Sequence, residues 1–348
     1  MREVDCLIVG LGIAGIAACE EWLSKGKRIM VIDKGEATAT EVAGGVVNPV
    51  VLKRFNAVWR AKEFMPKAVE TYTNISNRLG NSIAKTIDIY RILNSIEEQN
   101  NWTVASDRNE LRPYLSSNIV ENKNKSIKAP YGLGKVTGAL QLFPSLLLSQ
   151  YRDYLEQRGS LLRERFHYEA LQFTSEGISY GSVRAKCIWF CEGISALKNP
   201  FIPTGALIPN KGEYAILKAP ALETESVLKG SMFVIPLGNG SYKVGATFSR
   251  DATSMETTKD AAERISESFQ KMISSSGTLV AQVAGVRPTT KDRRPILGRC
   301  VGQRHAYVLN GLGSRGLLMA PLLAQWLYEF TQQGTPVPPE VDVSRCNA

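Results

Sequence analysis

The first thirty-odd residues constrain this chain more than any other stretch. Val4–Val9 is an apolar run ending at Gly10, and Gly10-Leu11-Gly12-Ile13-Ala14-Gly15 follows directly. The segment AGIAACEEWLSKG then reads as a helix stopped by Gly26, and Arg28–Ile32 reads as a second strand with Asp33 at its end. A G-x-G-x-x-G match alone is weak. With a strand before it, a helix after it and an acid eighteen residues past the third glycine, it marks a dinucleotide-binding βαβ unit. Gly10 permits the tight turn, Gly12 leaves room for a pyrophosphate, and Gly15 lets helix and strand approach closely. The helix start at Ile13 and Ala14 offers free N–H groups and a positive dipole end. Asp33, followed by Lys34, is placed to accept hydrogen bonds from a ribose diol and to repel a 2′-phosphate. The competing reading is a glycine-rich turn that holds no ligand.

One βαβ unit accounts for a tenth of the chain. At 348 residues the length suits two domains of about 150 residues each. Hydrophobic residues at 44% and charged residues at 22% describe a soluble globular protein. The net charge of +9 permits an anionic substrate or a nucleic acid without requiring either. With only two histidines, His167 and His305, a histidine-rich metal site or a Ser-His-Asp machine is ruled out, and no metal is expected. The six cysteines form no C-x-x-C pair, which points to free thiols and a reducing, cytoplasmic compartment. The apolar stretch CLIVGLGIAGIAAC has its glycines at fixed offsets and Asp5 before it, unlike an export signal. No run reaches the roughly 18–20 apolar residues that cross a membrane.

Further along, residues 58–80 and Phe143–Arg158 read as helices ended by glycine, and Leu161–Phe166 and Ala185–Phe190 as strands. From about 84 to 136 the text is polar and mixed, and Lys123, Lys125 and Lys128 read as a solvated loop rather than a nucleic-acid contact. Lys53, Arg54, Arg60, Lys62 and Lys67 read as a solvated helix face, with a polyanion contact as the alternative. The texture changes between Gly205 and Ser249. Gly212–Lys218 and Ser231–Ile235 alternate, and Gly238-Asn239-Gly240 is a hairpin turn into Tyr242–Thr247, so an antiparallel sheet is expected. Asp260–Ile273 is helical. Two domains interleaved in sequence follow from these shifts.

Three later segments carry chemistry. Arg287, in AGVRPTT, can present its planar fork to a carboxylate or pair instead with Asp292. Asn310-Gly311-Leu312-Gly313-Ser314-Arg315-Gly316-Leu317 is a second glycine-rich turn opening a helix, and so a second set of backbone donors for an anion. Arg315 stands at that helix start, facing either the site or solvent. Cys191-Glu192-Gly193 ends the strand KCIWF. Phe233 and Tyr242 read first as sheet residues.

In their order and spacing these stretches resemble the D-amino-acid oxidase (DAO) family of FAD-dependent oxidoreductases. The matching stretches are VGLGIAGIAAC with VIDKG, AGGVVNP, GEYAILKAP, VIPLGNGSYKVGAT, AGVRPTTKDRRPILG and NGLGSRGLLMAP. The resemblance covers nearly the whole chain and is close to glycine oxidase and sarcosine oxidase, and it is also similar to the FAD domain of the bifunctional tRNA-modifying enzyme MnmC. It implies an α/β fold in which a Rossmann-like FAD-binding domain (1–82, 138–205 and 282–348) carries an inserted antiparallel-sheet substrate domain (83–137 and 206–281).

Carried over residue by residue, the resemblance places Gly10, Gly12, Ile13, Ala14 and Gly15 at the FAD pyrophosphate. It places Asp33 and Lys34 at the adenosine ribose, and Gly44 and Gly45 near the flavin. Cys191 and Gly193 form the small-residue turn beside FAD. Gly311, Gly313, Ser314, Arg315, Gly316 and Leu317 form the loop and helix start facing the flavin pyrimidine ring. Arg287 is the carboxylate clamp, and Phe233 stands where relatives often have a tyrosine near the substrate. Ser314 replaces an arginine of glycine oxidase, with Arg315 adjacent, which argues against glycine itself. No cysteine stands beside GVRP to tether flavin, so the FAD is expected to be non-covalent. The implied reaction oxidises the C–N bond of a small amino acid or N-substituted glycine by hydride transfer to flavin. The alternative is an MnmC-like oxidation of a carboxymethylaminomethyl group on a tRNA wobble uridine, with tRNA as partner.

Overall fold

The computed structural model describes residues 1–347. Its helices are α1 (Ile13–Ser24), α2 (Ala39–Val42), α3 (Ala61–Leu79), α4 (Ile96–Ser106), α5 (Pro144–Gln157), α6 (Lys259–Met272) and α7 (Gly316–Gln333). No helix among the described residues is long and apolar enough to cross a membrane.

The opening unit folds as its sequence dictates. The strand Arg2–Val9 is paired in parallel with Ile29–Ile32 on one side and with Val183–Phe190 on the other. Val183–Phe190 continues in parallel to Ala306–Asn310, which pairs with Ile296–Arg299. These strands centre an eight-stranded sheet completed by Leu161–Leu162 and the hairpin Leu171–Phe173 and Ile178–Tyr180. Near-continuous burial along Arg2–Val9 and Val183–Phe190 marks strands covered on both faces. Helices α1, α3, α5 and α7 pack on one face around Trp22, Trp189, Tyr72 and Phe64.

A second, ten-stranded sheet faces the first. Toward one edge lies the long strand Ile208–Lys218, hydrogen-bonded to Thr278–Thr289 and Ser241–Gly245. The expected hairpin is present, with Asn239 and Gly240 both at positive φ (50° and 65°), the geometry a tight two-residue turn requires. The sheet is mixed, because Val227–Lys229 pairs in parallel with Ala84–Ile92. The polar text between 84 and 136 contains the strands Ala84–Ile92, Leu115–Val120 and Leu133–Leu142 as well as α4. The Lys123–Lys128 stretch between them is loop.

Two expectations change. The strand at 161–166 is only Leu161–Leu162, because Arg163 and Arg165 leave the sheet edge to pair with Glu156 and Glu36. The boundaries at 137/138 and 281/282 each cut a strand of the second sheet, Leu133–Leu142 and Thr278–Thr289. Both strands stay paired to their ends, Leu142 opposite Ala84 and Thr289 opposite Ile208. All six cysteines are free, five of them buried.

Candidate active site

A cavity of about 730 Å³ lies between the two sheets, within the range of about 300–1,000 Å³ common for small-molecule and cofactor sites. It is long, and its two ends differ in what builds them.

At the first end the wall is backbone. Gly10 sits at φ 93°, and a Cβ there would lie 2.7 Å from the Cys191 carbonyl oxygen. A Cβ on Gly15 would lie 2.0 Å from the Gly10 carbonyl oxygen, so α1 rests directly on the strand end. Gly12 differs: its Cβ would meet only the Thr40 hydroxyl, at 3.4 Å, and the space beyond belongs to the cavity. The start of α1 has no side-chain cap of its own, but Ile13 N–H donates to Thr40 Oγ1 at 3.0 Å. Asp33 accepts N–H bonds from Leu11 (2.7 Å) and Gly35 (2.8 Å), which fixes its carboxylate beside the turn. Lys34 pairs with Glu36 at the rim.

Gly44 and Gly45 pass along the wall. A Cβ on Gly44 would strike Ile235 Cδ1 at 2.7 Å, and one on Gly45 would strike the Leu142 carbonyl at 2.2 Å. Cys191 and Gly193 adjoin Gly10. Asn310 joins this turn to the second glycine-rich turn: Nδ2 donates to Gly193 O (2.8 Å) and Oδ1 accepts from Gly311 N–H (2.8 Å). Gly316 packs its missing side chain against Ile13, so the starts of α7 and α1 meet at the cavity. Gly313, Ser314, Arg315 and Leu317 line it as well.

Two predicted contacts are not at the cavity surface. Gly15 and Gly311 do not line it; both are packing glycines behind the wall, Gly311 lying where a Cβ would reach Thr290 at 2.8 Å. Asn310 and Thr40 were not singled out from sequence. A buried asparagine directly before a glycine run carries a signal, whereas nothing local marks Thr40.

At the second end the wall is side chains on alternate positions of the ten-stranded sheet: Gly212 and Tyr214, Phe233 and Ile235, Gly285 and Arg287. Arg287 lies flat over Gly212, where a Cβ would be 2.0 Å from a guanidinium nitrogen. The Phe248 ring centroid is 4.9 Å from its central carbon. Arg287 Nη1 is buried and has no hydrogen-bond partner. The alternative partner, Asp292, is taken by Arg345 at 3.1 Å. Arg315 also faces the cavity rather than solvent, and burial lowers its pKa. Phe233 lines the cavity, while Tyr242 is a core residue bonded through its hydroxyl to Thr224. Lys229, unmarked in the sequence, also lines this end. Burial first, then the nearby Arg91 and Lys53, pull its ammonium down to about 8.

The family model described as DAO, FAD dependent oxidoreductase, matches residues 5–330. The chain belongs to the DAO family. Glycine oxidase of Pseudomonas aeruginosa is 21% identical over 360 residues, covering 95% of each chain. The tRNA 5-methylaminomethyl-2-thiouridine biosynthesis bifunctional protein MnmC of Idiomarina loihiensis is 29% identical over 136 residues. That match takes in 37% of this chain and 22% of MnmC, so the chain corresponds to a part of that protein. The iminodiacetate oxidase of Chelativorans sp. BNC1 shares the fold, with a TM-score of 0.77 at 18% identity over 96% of this chain and 97% of that one.

This DAO-family chain is thus a FAD-dependent oxidoreductase, and its own residues fit the cofactor. The open space over Gly12 suits a pyrophosphate. Two helix starts converge on one cavity. FAD supplies a two-electron acceptor when bound.

Proposed function

We propose that this protein oxidises the C–N bond of a small amino acid or N-substituted glycine, with non-covalently held FAD as electron acceptor. The observation that carries this reading is Arg287. A half-buried guanidinium whose Nη1 is buried and unpartnered, held flat between Gly212 and Phe248, is a preorganised fork for a carboxylate. It stands at the far end of the cavity that the glycine turns open.

Gly10, Gly12, Ile13 and Ala14 would take the pyrophosphate, and Asp33 with Lys34 the adenosine ribose. Gly44, Gly45, Cys191 and Gly193 would lie along the cofactor. The turn Gly313–Leu317 would set the N-terminus of α7 against the ring that gains negative charge on reduction. Arg287 binds and orients the substrate carboxylate. Arg315 adds positive potential, and Phe233, Tyr214 and Ile235 keep water from the reacting carbon. No histidine base enters this scheme.

The test is an anaerobic visible spectrum of the purified holoprotein, repeated after adding glycine, sarcosine, iminodiacetate, D- and L-proline and a panel of D-amino acids. Bleaching of the flavin bands by one of them supports the reading, and a spectrum that none of them changes counts against it.

A second reading is oxidation of a carboxymethylaminomethyl group on tRNA, with the nucleic acid as partner. It is favoured by a half-buried stack in which Arg60 lies between Trp59 (5.5 Å) and Trp326 (5.1 Å), with Arg294 over Trp59 (4.6 Å). Alternating arginine and tryptophan faces suit unpaired bases. Among the neighbouring cations, Arg60 and Lys67 pair with Glu63 and Glu70. Steep loss of tRNA binding with added salt supports this reading; salt-insensitive or absent binding opposes it.

A further inference from the structure

The cavity holds more positive charge than one carboxylate needs, and that charge is split between two places. Four carboxylates line the cavity, Asp33, Glu36, Glu164 and Glu192, all on the segments around the first glycine turn, and three of them are engaged. Asp33 takes backbone N–H groups, Glu36 pairs with Lys34 and Arg165, and Glu192 accepts from Tyr168 (2.5 Å) and Asn199 (2.7 Å). The sheet end has Arg287, Lys229 and Lys53, with Arg315 at the start of α7, and none of the four forms an ion pair with a described residue.

The strand register fixes how far apart these cations lie. Lys229, Phe233, Gly245 and Tyr214 stand opposite one another across four neighbouring strands. Strand spacing of about 4.8 Å puts Lys229 and Tyr214 some three spacings, or roughly 14 Å, apart at the backbone. Arg287 rests on Gly212, two residues from Tyr214 on the same face. The Lys229 ammonium leans inward, 5.0 Å from the centre of the Phe233 ring. The two cationic groups therefore end on the order of 10 Å apart, with Phe233 and the bare backbone of Gly245 as the floor between them.

Lys229 is held in place by a separate framework. Arg91 is buried, and its guanidinium donates to the carbonyls of Leu52 (3.3 Å) and Lys229 (3.3 Å) and to Glu98 Oε1 (2.8 Å). This ties Lys53 and Lys229 side by side, while Glu98 neutralises Arg91. The Lys229 Nζ donates to the carbonyls of Gly230 and Ser231, both at 3.0 Å, leaving one of three hydrogens for a ligand. A half-buried ammonium with no carboxylate beside it is costly to keep unless a ligand brings the charge.

We propose that Lys229, with Lys53, forms a second anion subsite, so that the substrate is an elongated amine. Its carboxylate sits on Arg287 and a further anionic group, a carboxylate or a phosphate, sits on the order of 10 Å away beyond Phe233. This deepens the proposed amine oxidation and rests on it.

The test uses the FAD-loaded enzyme and three compounds that share an N-carboxymethyl amine head and a five-carbon spacer. Their tails are a carboxylate, a phosphate or a neutral amide. Dissociation constants come from anaerobic flavin absorbance titration and from calorimetry, so a compound that is bound but not oxidised still reports. Anionic tails are expected to bind at least roughly tenfold tighter than the amide. Lys229→Gln is expected to bring that ratio to near one, Lys229→Arg to keep it, and Lys53→Gln to lower it in part. The better of the carboxylate and phosphate tails identifies the source of the anion. Equal binding of all three tails, or an equal loss for all three in Lys229→Gln, overturns the subsite. Tail preference without flavin reduction by any compound would instead fault the amine-oxidation reading and leave the subsite standing.

Discussion

The two ends of the cavity are built from different materials. At the glycine end the wall is backbone: side chains are absent at Gly10, Gly12 and Gly44, and two helix starts are brought together by Gly316 and Asn310. At the sheet end it binds with side chains on a rigid pleat, spaced by strand register, where a missing side chain (Gly212, Gly245) serves only to let a neighbour lie flat. Backbone recognition suits an unvarying cofactor, because few substitutions can improve it. Side-chain recognition can be changed one residue at a time without moving a strand.

The sharpest way to break this contrast is Gly12→Val. Its backbone (φ −78°, ψ −167°) is open to any residue and its Cβ would meet only Thr40, so the apoprotein should keep its thermal midpoint while FAD binding is lost. Flavin content and Tm measured on one preparation decide it; a variant that keeps its flavin removes Gly12 from the cofactor site. Next in size is Arg287→Met. It should keep its flavin yet lose on the order of a hundredfold or more in kcat/KM, because a carboxylate loses its partner in a desolvated site. Arg287→Lys should recover little of this, since a point charge cannot replace the planar fork.

Gly15→Ala asks the converse of Gly12. It should destabilise the fold by about 1–3 kcal/mol through overpacking against the Gly10 carbonyl, read by urea unfolding of the apoprotein. Asn310→Ala should cost a similar 1–3 kcal/mol or less, leaving Gly193 O and Gly311 N–H unpaired, and should weaken FAD binding as well.

The smallest effect concerns Lys243, which donates to the Ala43 carbonyl (2.9 Å) under the Tyr214 ring and whose ammonium burial pulls down to about 8. An unfolded lysine keeps its proton to about 10.4. Between those values the unfolded chain binds more protons, so this group makes stability rise with pH. Lys243→Met should flatten that rise in urea midpoints taken between about pH 8 and 10; an unchanged slope would contradict the burial of the charge.

Most of the glycine end was legible in the sequence, because its signals are local. The turn, helix and acid of the opening unit lie within thirty-odd residues, and the second glycine run adjoins its own helix. The sheet end was legible only in part. Arg287 stood out between glycine and proline, but Lys229 and Tyr214 reach the cavity through pairings that join strands far apart in sequence. Ala84–Ile92 and Leu133–Leu142 escaped notice for the same reason: each lies in a polar context, and its apolar residues find partners only across the sheet. Gly15 and Gly311 show the opposite limit, where a motif marks a position without saying on which side of the wall it falls.

The parallel pairing of Arg2–Val9 with Val183–Phe190 sets an order in time. A ribosome releases the first glycine turn early, yet its strand has no partner on that side until the chain has nearly doubled back to residue 190. The helix that closes the same cavity emerges only after residue 316. A chain of such distant pairings folds late and as a whole. That edge of the Arg2–Val9 strand stays open through the first half of synthesis, so this is the stretch where a chaperone would be most needed.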